Sequence, residues 1–221
     1  MNINHETKIF IKNMMLGVGS VHLSLANPAL ALRVMEKSYE NMQPRTFKKV
    51  RPSAKINKVN KKAVLTGLAN HFVAYFAAPP LATQADFDEW HRNTCNWFLG
   101  AFNTRVLTPS GYLQMKYGKA QKIVNVAFKY FYLFCNIKPG VPGHFDFAHF
   151  TIDSYTLKWY KRVIDPACPV GSWSDMSQTD YEEIQEKIRD YIPTSPYPTP
   201  FLAEFEIFSK EYYGEGDTAA E

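Results

Sequence analysis

The chain has 221 residues, 46% of them hydrophobic and 15% aromatic, enough apolar material for a sizeable core and too much for an intrinsically disordered protein. Its three cysteines, Cys95, Cys135 and Cys168, are too few and too scattered for a disulfide framework, a zinc site or an iron–sulfur cluster. The net charge of +4 conceals an asymmetry: residues 41–145 carry 15 Lys or Arg against three acids, and residues 146–221 carry six against 15.

Residues 7 to 19 have helical patterning. Residues 24 to 41 form a second helix, with Leu25, Leu30, Leu32, Val34 and Met35 as its apolar residues and Asn27-Pro28 as a start signal. The eight basic residues from Arg45 to Lys62, unrelieved by any acid and including Lys48, Lys49 and Arg51, read as a basic loop leading into a helix. Ala63 to Ala78 is apolar enough for a buried helix, and Pro79-Pro80 stops it. Asp86 to Phe102 is amphipathic, with Phe87, Trp90, Thr94, Trp97, Phe98 and Ala101 inward and acids in its first turn.

Thr108-Pro109-Ser110-Gly111 is a turn, and a short segment from Tyr112 to Tyr117 leads to Gly118. From that glycine a helix runs to about Cys135, with Ile123, Val124, Ala127, Phe128, Phe131 and Phe134 at helical spacing. Lys138 to Phe145 is too rich in proline and glycine for a helix or a central strand. Phe150-Thr151-Ile152 is an extended approach to Asp153, where a helix over 153 to 163 opens. An acidic helix near 177 to 192, a proline-rich connector and a docking helix from Phe201 to Tyr213 follow, with 214–221 as a disordered tail. Alternating β patterning is nearly absent. The class is therefore all-α, a compact helical domain over residues 1–213, either one body or two lobes with a cleft between them.

Lys129 and Lys138 interrupt the one strongly apolar region, so no membrane contact is expected. Met1 to Met15 lacks the basic, apolar and small succession of a secretory signal. A cytoplasmic or nucleoid-associated monomer is expected. The six histidines lack metal-type spacing, and no metal or cofactor is expected; His144 and His149 read as loop or core residues flanking the approach to Asp153. The basic stretch points to an anionic partner, nucleic acid first, because counterion release supplies affinity whatever the sequence bound.

Lys119, Lys122 and Lys129 fall on one side of the helix after Gly118. On a generic helix that is a solvated basic stripe. Lys122 stands apart because it lies in the first turns, among other cations. Positive neighbours and the helix N-terminus both favour loss of its proton, leaving an amine able to act as a nucleophile. Asp153, ahead of Ser154-Tyr155-Thr156, holds an N-cap position. A carboxylate pinned there also suits stabilisation of a cation forming on a sugar.

This order of residues resembles the helix-hairpin-helix DNA glycosylase superfamily. Gly118-Lys119-Ala120-Gln121-Lys122 looks like its glycine-then-lysine element, and Phe150-Thr151-Ile152-Asp153-Ser154-Tyr155 like its aspartate opening a later helix. The spacing is most similar to the archaeal 8-oxoguanine glycosylase branch. The chain departs from the pattern in having Leu113-Gln114-Met115-Lys116-Tyr117-Gly118 where the usual hairpin stands, and Thr151 where a proline precedes the aspartate motif. The resemblance implies a helix-hairpin-helix-like element before the lysine-bearing helix. It implies that Lys122 attacks the sugar C1′ of an extruded damaged or modified base in duplex DNA, with Asp153 stabilising the charge, and that elimination then nicks the strand. Trp90, Trp97, Phe150 and Trp159 become candidate base-pocket or stacking residues. Lys48, Lys49, Arg51, Lys116, Lys119 and Lys129, with the amide of Gly118, become candidate phosphate contacts.

Two other readings fit the same residues. One is a non-catalytic, basic all-α nucleic-acid-binding protein of phage or defence type, with Lys122 a phosphate contact and Asp153 a helix cap. The other is a helical interaction protein whose acidic and basic parts pair with each other.

Overall fold

The computed structural model describes residues 24–42, 54–107, 114–134 and 143–214. Among them are seven α-helices and no strand, so the fold is all-α. The helices are α1 (Pro28–Asn41), α2 (Ala54–Ala77), α3 (Gln84–Arg105), α4 (Tyr117–Phe134), α5 (Ser154–Val163), α6 (Gln178–Tyr191) and α7 (Pro200–Tyr213). Short 3₁₀ turns occur at Trp173–Asp175 and Ile192–Thr194. The expected helix over 7 to 19, the turn at 108–111, most of the loop after Lys138 and the tail beyond Gly214 lie outside the described residues.

The helices start where side chains can take up their free amides. Asn27 accepts from the Leu30 N–H with Pro28 in the first turn, Thr83 from Asp86, Ser177 from Asp180, and Thr199 from Leu202. Gly214 ends α7 with φ at 78°, the left-handed conformation a glycine accepts without strain.

Helix α4 is the central element, packed against α1, α3, α6 and the Trp173–Asp175 turn. Its Phe128 and Phe131 meet Phe72 of α2, ring centroids 5.2 and 5.5 Å away. Tyr75, Phe76, Phe87 and Phe145 complete that aromatic interior. Each such phenyl ring contributes roughly 1.5–3 kcal/mol by leaving water.

Helix α2 starts at Ala54, well before the expected Ala63. Nothing between Pro52 and Ala63 breaks a helix, and lysine is a good helix former. Lys58 and Lys62 stay exposed while Val64, Leu65 and Leu68 turn inward. The basic run is thus helical in its second half.

Candidate functional site

Asp153 caps α5 from an extended backbone conformation. Its Oδ1 accepts from the Tyr155 and Thr156 amides at 3.0 and 3.2 Å, and its own N–H donates to Thr156 Oγ1 at 2.8 Å. That reciprocal arrangement is a capping box, and it engages one carboxylate oxygen. The other, Oδ2, receives Lys122 Nζ at 3.1 Å, and the two side chains are only 10% and 7% exposed. A single carboxylate therefore both starts a helix and holds the lysine.

Above the lysine lies an aromatic face. The Trp173 ring centroid is 4.6 Å from Lys122 Nζ and 5.1 Å from Lys119 Nζ, within cation–π range. Gly118 fixes that ring's backbone. A Cβ at Gly118 would stand 1.8 Å from the Trp173 carbonyl oxygen, so no larger residue allows the approach. The Gly118 N–H donates to Met176 O at 3.1 Å, tying α4 to the same turn.

The start of α4 lies close to the end of α3 and the first turns of α2, with Asp175 on the turn packed against it. Asn60 of α2 donates to Arg105 O at the end of α3, at 2.8 Å. Asn103 brackets Met115, accepting from its N–H at 2.7 Å and donating to its carbonyl at 3.1 Å. Lys58, Lys62, Arg105 and Lys116 are exposed around this junction.

A second polar cluster lies between α3 and α6. The His149 Nε2–H donates to Asp88 Oδ1 at 2.6 Å, and its Nδ1 accepts from the Tyr181 hydroxyl at 2.9 Å. Tyr181 in turn accepts from Asn125 at 2.8 Å, and Asn125 Oδ1 accepts from His91 at 2.9 Å. Burial lowers the pKa of both imidazoles, that of His91 furthest, while Asp88 pulls His149 back up. Burial would raise the Asp88 carboxyl, but the bond from His149, with Gln84 and Arg189 behind it, leaves it below the ordinary value. A cavity of about 360 Å³ opens beside this cluster, bounded also by Arg92, Glu182 and Arg189.

The structure brings Lys122 and Asp153 together and sends most other candidates elsewhere. Gly118 cannot offer its amide to a phosphate, because Met176 O already takes it, and it is helical and buried instead of forming an exposed turn. Lys119 is buried, with Nζ 3.4 Å from Met42 O, so it is no surface phosphate contact. Burial, then the charge of Lys122, holds its amine below the ordinary lysine value. Lys129 is not a surface contact either; it is paired with Glu204, a buried carboxylate of α7. Lys116 is exposed, and Lys48, Lys49 and Arg51 lie outside the described residues.

The four aromatic candidates are engaged in packing. Phe150 is fully buried and stacked on Trp159, centroids 5.4 Å apart. Trp90 sits edge-on to Phe72 and against Tyr75, and Trp97 covers Gly67 and His71. The His144 Nε2–H donates to Ala78 O, just past the end of α2, at 2.8 Å. The ring at the lysines is Trp173, which the sequence reading missed. Gln121 and Asn125, polar residues inside an apolar helix, were the signal that α4 has buried polar partners.

Among the described residues no group of three His, Cys, Asp or Glu is arranged to hold a metal, and no helix is long and apolar enough to cross a membrane. Neither a protein-family model, nor a curated protein, nor a solved structure matches the chain.

Proposed function

We propose that this chain excises a damaged or modified base from DNA through a lysine Schiff base and then nicks the strand. The observation that carries the reading is the meeting of the Lys122 amine with Asp153 Oδ2 at 3.1 Å, in the first turns of α4. A carboxylate already locked as a helix cap moves little during a reaction.

In this mechanism the Lys122 ammonium first passes a proton to Asp153 Oδ2. The free amine attacks C1′ of an extruded nucleotide as the glycosidic C–N bond breaks; the base departs with that electron pair and takes the proton held by Asp153, which returns to carboxylate. Loss of a further proton from nitrogen and opening of the C1′–O4′ bond, with protonation at O4′, give the Schiff base. Removal of a C2′ proton then expels the 3′ phosphate. The carboxylate of Asp153 faces the positive charge that develops on the sugar. Lys58, Lys62, Arg105 and Lys116 would grip the flanking phosphates, making affinity fall steeply with salt.

The test is borohydride reduction with a duplex containing one abasic site. A covalent adduct that disappears in Lys122→Ala is the expected result; wild-type protein that binds the duplex without any adduct removes the reading. Duplexes carrying 8-oxoguanine, uracil or an alkylated base then identify the excised base. A second reading, a non-catalytic nucleic-acid-binding protein, is favoured by the Lys122 side chain being only 10% exposed beneath Trp173. It expects salt-sensitive binding and no adduct.

A further inference from the structure

We propose that Gln121 is the positioning residue of the Lys122–Asp153 pair, holding α4 and the approach to α5 in the one register at which the two groups meet. The proposal rests on the excision reading above for its chemistry, though not for its geometry.

Residues 150–153 are buried and belong to no helix, with no strand beside them among the described residues. Buried backbone groups left unbonded cost about 1–3 kcal/mol each, so something must meet them. Side chains from four helices do. Gln185 of α6 brackets Phe150, accepting from its N–H at 3.2 Å and donating to its carbonyl at 2.6 Å. Glu204 of α7 accepts from the Thr151 N–H at 3.0 Å. Thr156 of α5 donates to the Thr151 carbonyl at 2.8 Å. Gln121 of α4 brackets Ile152, accepting from its N–H at 3.3 Å and donating to its carbonyl at 2.6 Å.

Gln121 differs from the others in its offset. It lies 31 residues before Ile152, and Lys122 lies 31 residues before Asp153, so the amide bracket and the ion pair are successive rungs between the same two stretches of chain. A lysine side chain is flexible and cannot set that register itself. The Gln121 amide is fixed: fully buried, it also donates to Gly118 O at 2.8 Å and accepts from Asn125 at 3.1 Å. Asn125 is held by Tyr181 and His91, so the cluster between α3 and α6 braces the bracket from behind. Gln121 touches no reacting atom and acts through Ile152.

The experiment compares the full-length wild type with Gln121→Met and Gln185→Met. On the abasic duplex, the single-turnover rate of borohydride trapping should fall about 30–100-fold in Gln121→Met, the scale of a misplacement near 1 Å. Duplex affinity should be unchanged. Gln185→Met, which removes an equivalent bracket farther from Asp153, should lose stability with little change in rate. Equal rate losses in the two variants would overturn the proposal. A readout independent of catalysis is the ¹⁵N spectrum of the lysine ammonium groups, with Lys122 assigned by its loss in Lys122→Arg. The signal should survive in Gln185→Met and vanish by solvent exchange in both Asp153→Asn and Gln121→Met. Its persistence in Gln121→Met would overturn the proposal whether or not the wild type traps DNA. A wild type that traps nothing while this signal behaves as expected removes the excision reading alone. Should Gln121→Met not fold, Gln121→Glu keeps the acceptor for the Ile152 N–H, lacks the donor to its carbonyl, and serves the same readouts.

Discussion

Helix α4 carries two lysine–carboxylate pairs two turns apart, one buried and one partly buried, and both carboxylates touch the segment leading into α5. Lys122 pairs with Asp153, whose second oxygen caps α5. Lys129 pairs with Glu204, whose second oxygen accepts from Thr151 and whose side chain is 1% exposed. Burial raises the Glu204 carboxyl above its ordinary value, and the charge of Lys129 and their hydrogen bond offset only part of that. Phe208 covers the Lys129 amine at 5.8 Å. Pairing and burial by themselves therefore do not mark a working site. The Lys122 pair differs in lying near the helix start, under a tryptophan face.

The largest effect that could break this contrast is chemical. Lys122→Ala should lower borohydride trapping at least about 10³-fold, the scale of losing a nucleophile. Lys129→Met should leave trapping per folded molecule unchanged while lowering stability by about 3–5 kcal/mol, because it strands a buried carboxylate. Adding Glu204→Gln, which keeps an acceptor for the Thr151 N–H, should recover most of that loss in urea melts. If Lys129→Met instead abolished trapping in folded protein, the two pairs would share one function and the contrast would fail.

A smaller effect sharpens the role of the tryptophan. Gly118→Ala places a methyl group where the Trp173 carbonyl lies, 1.8 Å away, and both are backbone-fixed. The turn must move, at a cost of about 1–3 kcal/mol, and the ring must leave the two lysines. Gly100→Ala in α3 meets nothing within 4 Å and should stabilise by about 0.5–1 kcal/mol. Thermal melts of the pair, read beside the Trp fluorescence of the Gly118 variant, check both signs.

Much of this was legible in the sequence because it is local. The starts at Asn27 and Asp153 and the 3.6-residue pattern of α4 locate helices to within a few residues. The same pattern misled for the lysine stripe. A stripe on an outer helix faces water, but α4 is central, so Lys119 and Lys129 meet protein instead. Trp173 was invisible for another reason: it arrives from a turn without periodicity, about 50 residues downstream of its lysines, and only the fold brings it there. Gly118 was read as the opening of the helix and a phosphate contact, whereas its small size serves a close approach between two segments distant in sequence.

The smallest predicted effect concerns pH and the cluster behind Gln121. His71, His91 and His149 all have pKa values below the ordinary 6.5, with burial the leading cause in each. The unfolded chain therefore binds more protons than the folded one as pH falls below 6.5, and stability must drop in that window. It is fully present above that value. Glu204, raised by burial, works in the opposite sense, so the comparison has to be made between variants. The melting temperature should fall by a few degrees from pH 7.5 to pH 5.5, and by less in His91→Gln, which keeps a donor for Asn125 and has nothing to titrate. An unchanged slope in His91→Gln would mean that His91 does not stay neutral in the fold.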